Sequence, residues 1–242
     1  MTVHKDLTGI SIPKGGTSGM WNAANTIKQV IVIHDTESGN AAGALNWMRS
    51  QQNGSYHILV DTDGDSFRMV PDSRQAWAAA ATGNRIGLHV CATGYASWRL
   101  KMLSKLQSDP KPATMAGRVD NPKDGICTDT GSRRASTVRW ADHPAMLEII
   151  AQNVAQWSVT YNIPLRILNA EQVRAGLKGI CGHNEISLAF RQTDHTDPGV
   201  NFPKTRIVAR AIEIVSEKAN LLGLTDSELA EVARNFNQLG PA

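Results

Sequence analysis

Hydrophobic positions along the chain follow two patterns, which together predict strands that alternate with helices. Val30 to Ile33 form an unbroken apolar run, which is typical of a strand buried on both faces. From Met146 to Trp157 the apolar residues recur at helical spacing, which predicts a long amphipathic helix. The predicted strands are residues 29–34, 56–60, 67–70 and 86–92. The predicted helices are residues 41–49, 143–161, 171–175 and 204–222, with a last one beginning at Thr225.

A tight turn between two of these strands indicates the kind of sheet. Residues 61–65 are Asp-Thr-Asp-Gly-Asp, and Gly64 supplies the backbone freedom of a hairpin turn. The run lacks the spacing of a calcium-binding loop, which has its glycine in the sixth position and a glutamate in the twelfth. A hairpin joins antiparallel strands, whereas strands connected through helices are parallel. We therefore predict an α/β fold, a single domain with a central mixed β-sheet flanked by helices.

One long segment interrupts this alternation. Residues 107–142 offer Pro, Gly, Ser, Thr and charged residues without an apolar pattern, and they are too many for an ordinary connection. We predict that residues 1–203 form a catalytic domain that carries this insertion. Residues 204–242 are predicted to form C-terminal helices that pack on the domain or lead to a linker.

Composition and charge exclude several classes of protein. The 242 residues are 41% apolar and carry a net charge of +3, which excludes a histone-like protein. Three cysteines lie far apart without a C-x-x-C pair, which argues against a disulfide framework and an all-thiolate zinc site. The N-terminus lacks the apolar region of a signal peptide, and no run reaches the roughly twenty apolar residues of a membrane span. We expect synthesis in the cytoplasm, no membrane insertion and a monomer.

Two histidines and an aspartate carry the candidate chemistry. His34 directly follows the apolar strand, His183 follows a second apolar stretch that breaks at a glycine, and Asp197 lies in a Pro-Gly turn. Taken singly, each pattern also fits a hydrogen-bonded structural residue. Brought together, two imidazoles and one carboxylate would form a zinc site with an open fourth position for water. Such a site is typical of a hydrolase, because the metal activates the water and polarises a carbonyl.

Five ordered motifs resemble a known family, the zinc-dependent N-acetylmuramoyl-L-alanine amidases of type 2. This family includes phage endolysins and the fold-related peptidoglycan recognition proteins. The resemblance extends over residues 28–203 and is interrupted by the insertion at 107–142. The motifs are VIHDT at residues 32–36, SYHI at 55–58, IGL at 86–88, GHNEI at 182–186 and TDPG at 196–199.

The resemblance implies both a site and a reaction. It implies that His34, His183 and Asp197 bind one Zn²⁺ ion on one face of a mixed sheet. It also implies cleavage of the amide between the lactyl group of N-acetylmuramic acid and the L-alanine of the stem peptide. Tyr56 matches the family tyrosine that points at the water or the substrate. The alternative for Tyr56 is a core aromatic residue of a strand.

Two positions differ from the usual family pattern. His195 stands where many members have a lysine two residues before the last ligand, and it could donate a hydrogen bond to the oxyanion when protonated. His89 stands where many members have a glutamate that serves as a base toward the water. Both replacements keep a group that exchanges protons, with an ordinary pKa near 6.5. We therefore expect turnover to depend on pH between about 6 and 8. The alternative for His89 is a buried strand histidine.

Three neighbours of these residues have structural interpretations. His57 follows Tyr56 and is expected to point to the opposite face and pack there. Glu185 is expected to orient His183 or to cap the following turn, rather than to act as the base. Cys181 is expected to be a buried apolar neighbour of His183.

These observations favour an endolysin whose partner is bacterial peptidoglycan. A cytoplasmic amidase that recycles released muropeptides would also lack an export signal, and a peptidoglycan-binding module without catalysis would lack a zinc ligand. The basic segment from Arg99 to Arg139 has nine basic and four acidic residues. It contains no nucleic-acid-binding motif, so we expect no nucleic-acid partner. We expect Arg133 and Arg134 to bind anionic wall polymers or stem-peptide carboxylates. The alternative is that this segment is a solvated loop.

Overall fold

A mixed sheet flanked by helices lies at the centre of the structure. The computed structural model describes residues 5–8, 21–51, 53–94, 125–127, 137–199 and 202–221. The strands are β1 (Lys5–Asp6), β2 (Trp21–Ala24), β3 (Val30–Asp35), β4 (Ile58–Val60), β5 (Ser66–Arg68), β6 (Arg74–Ala76), β7 (Gly87–Ala92), β8 (Gly125–Cys127), β9 (Thr137–Arg139) and β10 (Gly179–Gly182). The helices are α1 (Ala41–Gln51), α2 (Ala80–Ile86), α3 (Pro144–Tyr161), α4 (Ala170–Arg174), α5 (His183–Phe190) and α6 (Lys204–Leu221), with a 3₁₀ turn at Trp140–Asp142.

The sheet topology confirms the predicted α/β class. Within the described residues, six strands form the central sheet in the order β1-β5-β4-β7-β3-β10. Only β4 and β5 pair antiparallel, across the hairpin predicted at residues 61–65, while the other neighbours pair parallel. Gly64 has a φ of 92°, as the turn requires. Because β3 is enclosed between β7 and β10, its four apolar residues are all fully buried.

Two layers of helices bury the two faces of the sheet. Ile31 and Ile33 pack in one core with the buried face of α3, whereas Val30 and Val32 pack on the other face with Ile186 of α5. Helix α3 matches the predicted helix at 143–161 and ends at Asn162, whose φ of 51° is left-handed. Helix α6 packs on α3 and matches the prediction at 204–222. None of the helices in the described ranges is long and apolar enough to cross a membrane.

The structure differs from the predicted elements mainly in short segments. Part of the insertion is not a loop, because β8 and β9 pair antiparallel and Trp140 is buried in the core beside Phe202. The sequence pattern also did not predict strands β1, β2, β6 and β10 or helices α2 and α5. These elements have two to eight residues each, too few for a recognisable period. The predicted helix at Thr225 lies outside the described residues, and the division of the chain at residue 203 stays a prediction.

Candidate metal centre

Three elements bring His34, His183 and Asp197 together, and we call these three side chains the metal centre. His34 is near the carboxyl end of β3, and His183 begins α5 directly after β10. These strands are parallel neighbours, with Gly182 paired to Ile33, so their carboxyl ends meet at one edge of the sheet. Asp197 comes from the turn after α5. One potential ligand atom of each residue lies within 4.8 Å of the others, and all three side chains are buried.

Local packing holds the Asp197 turn against α5. The N–H of Asn184 donates to the carbonyl oxygen of Asp197 at 3.0 Å. A Cβ atom at Gly182 would lie 2.8 Å from Cδ of Pro198, so only glycine allows this approach. Glu185 accepts the N–H of Gly182 at 2.6 Å and pairs with Lys204 at 3.0 Å. Glu185 thus caps the first turn of α5, which agrees with the capping alternative expected for it.

The two imidazoles present the same ring atom to the carboxylate. Nδ1 of His34 lies 3.1 Å from Oδ2 of Asp197, and Nδ1 of His183 lies 3.0 Å from Oδ1. Oδ1 is buried, yet it makes no hydrogen bond of good geometry with any residue that the structure describes. His34 forms a hydrogen bond with Oδ2, whereas Oδ1 and Nδ1 of His183 face each other without one, an arrangement that a cation would satisfy. Two nitrogens and one oxygen also fit the ligand set of a zinc site with one open position.

The electrostatics keep two of these residues, His34 and Asp197, in forms that can bind a metal ion. Burial lowers the pKa of His34 to about 4, although its hydrogen bond to Asp197 acts in the opposite direction. Burial alone would raise the pKa of Asp197, but its contacts with His183, His195 and His34 outweigh burial and hold the pKa well below the usual value. At neutral pH, His34 is therefore an unprotonated imidazole and Asp197 a carboxylate, the forms that bind a metal ion.

A cavity of about 460 Å³ lies beside the metal centre, and His183 and Asp197 line it. Tyr56 also lines it, with its ring centroid 5.1 Å from that of His34. Burial, followed by the charges of Cys91 and Asp197, raises the pKa of Tyr56 well above 10, so its hydroxyl keeps its proton. One wall of the cavity is the face of α1 that carries Trp47, which is 55% exposed.

His195 stands at the same cavity but is open to solvent. Its side chain is 62% exposed, and its ring stacks on that of His183 with 4.5 Å between the centroids. Nδ1 of His195 lies 3.4 Å from Oδ1 of Asp197. This contact is the main cause of a raised pKa for His195, which favours the protonated form. The catalytic role of His195 stays a prediction.

His89 does not face the cavity. It is fully buried, and its Nδ1 lies 3.0 Å from Nε2 of His34, on the side of that ring opposite to Asp197. The predicted role of His89 as a base toward the water therefore lacks the required placement, because the ring of His34 stands between it and the site. Its burial in β7 agrees with the alternative interpretation as a buried strand histidine. His57 and Cys181 are also buried, as predicted.

Two predicted substrate-binding residues lie outside the part of the chain that the structure describes, and two residues near the metal centre were not predicted. Arg133 and Arg134 lie outside the described residues, so their predicted role in substrate binding stays a prediction. Sequence reasoning missed Trp47. It directly precedes the buried Met48 on α1, so the helical spacing of the apolar residues could have placed it beside the buried face of that helix. Sequence reasoning also missed Thr193, whose Oγ1 lies 3.5 Å from Nε2 of His183.

An α/β domain with two imidazoles and a carboxylate beside a cavity has the features of a metal-dependent hydrolase. Comparison with known families agrees with this class, because residues 24–200 match the family of N-acetylmuramoyl-L-alanine amidases. The match spans more than half of the chain, and the chain belongs to this family. The protein is thus an N-acetylmuramoyl-L-alanine amidase, an enzyme that hydrolyses peptidoglycan, and the resemblance stated from the motifs is confirmed.

Several solved structures are similar to this chain. The hydrolase AmiA of Staphylococcus aureus, in complex with its ligand, is 15% identical, with 90% of this chain and 78% of that chain covered and a TM-score of 0.48. The amidase LysC from Clostridium intestinale is 15% identical, with 85% and 93% covered and a TM-score of 0.44. A mutant endolysin from Bacillus subtilis is 14% identical, with 87% and 99% covered and a TM-score of 0.46. No curated protein matches the chain.

Proposed function

We propose that the protein is a zinc-dependent amidase that cleaves the bond between N-acetylmuramic acid and L-alanine in the intact bacterial wall, as an endolysin does. The observation that carries this proposal is the buried metal centre of His34, His183 and Asp197, whose ligand atoms lie within 4.8 Å of one another. The chemistry that zinc supplies in such a site is polarisation of a carbonyl and activation of water. All three ligands are present, which distinguishes this chain from a peptidoglycan-binding module without catalysis.

The side chains around the centre have distinct tasks in this proposal. Tyr56 keeps its phenolic proton and can donate it in a hydrogen bond to the oxyanion that develops on the attacked carbonyl. His195 is protonated to a higher pH than a free histidine and can donate from the solvent side of the cavity. Neither group needs to move far, because both line the same cavity.

Substrate binding is assigned to the apolar wall of the cavity. Trp47 and Met48 come from the same helix, and Ala44 lies one turn before Met48 on the face that lines the cavity. A large exposed aromatic side chain beside a polar reaction centre suits a sugar ring or the alanine methyl group. These contacts would orient the scissile amide toward the metal centre.

The choice of the intact wall rests on the charge of one segment. Residues from Arg99 to Arg139 carry nine basic and four acidic side chains, while the whole chain has a net charge of only +3. A concentrated positive charge favours an extended anionic polymer over a small soluble muropeptide. Reversing the charge of Arg133 and Arg134 should weaken sacculus binding, and the loss should shrink as salt rises. Unchanged binding at low salt would instead indicate a solvated loop.

Metal analysis and substrate choice test the proposal together. We expect about one zinc per wild-type chain and clear losses of zinc and sacculus clearing in His34→Ala, His183→Ala and Asp197→Ala. His143→Ala, at the start of α3, is the matched control and should keep both. Full zinc occupancy in all three ligand variants would contradict the site assignment. Turnover of soluble anhydro-muropeptides without clearing of sacculi would identify a recycling amidase instead.

A further inference from the structure

His34 has a second ring nitrogen, which contacts another histidine. While Nδ1 faces Asp197, Nε2 lies 3.0 Å from Nδ1 of His89, and both side chains are fully buried. The sheet register explains this contact, because β3 and β7 pair Val32 with His89. Side chains two residues apart on a strand share a face, so His34 and His89 lie on the same side of the sheet.

The ring of His89 is held in place from two directions. Its backbone N–H donates to Nδ1 of His57 at 3.0 Å, and the rings of His57 and His89 stack with 5.6 Å between the centroids and 8° between the planes. Since Nδ1 of His57 accepts, its ring proton is on Nε2, which donates to the carbonyl oxygen of Arg74 at 3.0 Å. A Cβ atom at Gly87 would lie 2.6 Å from Nε2 of His89, so glycine at this position leaves the room that the ring occupies.

We propose that His89 is a positioning residue that fixes the proton of the metal ligand His34, an inference that rests on the proposed zinc site. When Nδ1 of His34 binds a metal ion, the ring proton of this neutral imidazole must be on Nε2. Nδ1 of His89 then accepts that proton in a hydrogen bond, and the proton of His89 is on its own Nε2. This nitrogen makes no hydrogen bond of good geometry among the described residues, and the carbonyl oxygen of Gly83 lies nearby, since both atoms are within 2.9 Å of the Cβ position that a side chain at Gly87 would take.

The second histidine ligand has a comparable partner. Nε2 of His183 lies 3.5 Å from Oγ1 of Thr193, so each imidazole presents Nδ1 to Asp197 and Nε2 to a group behind it. Such partners orient metal-bound imidazoles and fix the position of their protons. The contact to His34 is the shorter of the two, and its partner is held by a stacked ring. His89 therefore acts on the reaction through His34 and does not touch the substrate.

Ring-proton positions give the direct test. We expect ¹⁵N NMR of the zinc-loaded full chain, labelled in histidine, to show His89 and His34 each protonated on Nε2. The signals of His89 are assigned by their loss in His89→Asn. A His89 ring protonated on Nδ1 in the zinc-loaded protein would overturn the proposal, because it would donate to Nε2 of His34 instead of accepting from it.

Zinc affinity measured by chelator competition gives the second readout. His89→Leu should weaken zinc binding by about 10- to 100-fold. His89→Asn should restore most of the affinity, because its amide oxygen can accept near the position of Nδ1. His143→Leu makes the same chemical change outside the metal centre and should keep wild-type affinity. Equal affinity in His89→Leu and the wild type, or no rescue by asparagine, would overturn the positioning role. A wild-type chain that binds no zinc would overturn the metal centre and this role with it.

Discussion

Asp72 and Asp197 are both largely shielded from solvent and in contact with aromatic rings. Of the two, only Asp72 has well-formed hydrogen bonds to both carboxylate oxygens from residues that the structure describes. Asp72 accepts from Nη1 of Arg68 at 2.6 Å through Oδ1, and from Trp157 at 2.8 Å and Tyr161 at 3.0 Å through Oδ2. Asp197 has three imidazole nitrogens within 3.4 Å, yet its Oδ1 makes no well-formed hydrogen bond with the residues described here.

This difference separates a structural carboxylate from one that is placed where it could bind a metal ion. The donors around Asp72 carry fixed protons, so its lone pairs are satisfied and it ties the β5 hairpin to α3. Burial and the charge of Asp72 also raise the pKa of Tyr161 to about 12, which keeps its hydroxyl a donor. The groups around Asp197 are imidazoles, whose ring nitrogens are also metal ligands. An incompletely satisfied buried carboxylate beside two imidazoles is thus the feature that distinguishes the candidate metal centre.

The largest effect is expected from removing the charge at the ligand. Asp197→Asn should lower zinc affinity and amidase activity by at least about 100-fold, because an amide is a poor substitute for a carboxylate ligand. Zinc content after dialysis and the rate of sacculus clearing measure this loss. Wild-type zinc affinity in Asp197→Asn would mean that Asp197 is a structural carboxylate like Asp72, and it would contradict the distinction between the two residues.

The converse change tests the structural carboxylate. Asp72→Ala should lower the free energy of unfolding by about 3 kcal/mol, because the donors of Trp157 and Tyr161 lose their acceptor. Urea unfolding measures the stability, and zinc affinity should stay at the wild-type value. Asp72→Asn keeps one acceptor oxygen and should lose less. A change in zinc affinity with full stability would contradict the separation of the two carboxylates.

His57 links the two regions and predicts a dependence of stability on pH. Its ring contacts Trp157 with 6.0 Å between centroids, and burial lowers its pKa to about 4. Asp72 and the carbonyl of Arg74 act in the opposite direction, while Arg68 and Lys28 add to the lowering. The unfolded chain takes up this proton near pH 6.5, so the stability that neutral His57 contributes is complete above 6.5 and falls as pH drops toward 4.

The corresponding experiment compares the wild type with His57→Gln in the presence of a chelator. Between pH 7 and pH 5 the wild type should lose about 2 kcal/mol more of its unfolding free energy than the variant. Urea unfolding at both pH values measures the difference, and titration of the metal ligands cancels because both proteins contain them. Equal losses in the two proteins would show that His57 takes up its proton as readily in the folded as in the unfolded chain, so that its pKa is not lowered by folding.

The smallest effect concerns the cavity beside Asp197. Trp47→Ala should raise KM for a soluble muropeptide by about 10-fold, since it removes exposed apolar area at the cavity wall. Zinc content and melting temperature should not change. Leu188→Ala is the control, because Leu188 is 56% exposed on α5 and does not line the cavity. A lower kcat with unchanged KM would assign Trp47 to the chemistry rather than to binding.

Much of this architecture followed from local patterns. The apolar run of β3, the hairpin at Gly64 and the periodicity of α3 each predicted an element within one or two residues of its observed bounds. His34 was recognisable because it stands where an apolar strand ends, and Asp197 because it begins a Pro-Gly turn. Helices α2 and α5 and strands β1, β2, β6 and β10 were not, because short elements are stabilised by their neighbours and carry little pattern of their own.

The sequence by itself therefore predicted the α/β class and, with the family resemblance, the three residues that the structure places where they could bind a metal ion, since strand ends and turns are local properties of the chain. Only the tertiary structure decided where His89 lies. Its position in IGLH suggested a group that faces the water, but the register of β7 against β3 places it behind His34. Pairing between distant strands is set by the packing of the whole sheet, so no local pattern could show which atoms of His34 and His89 meet.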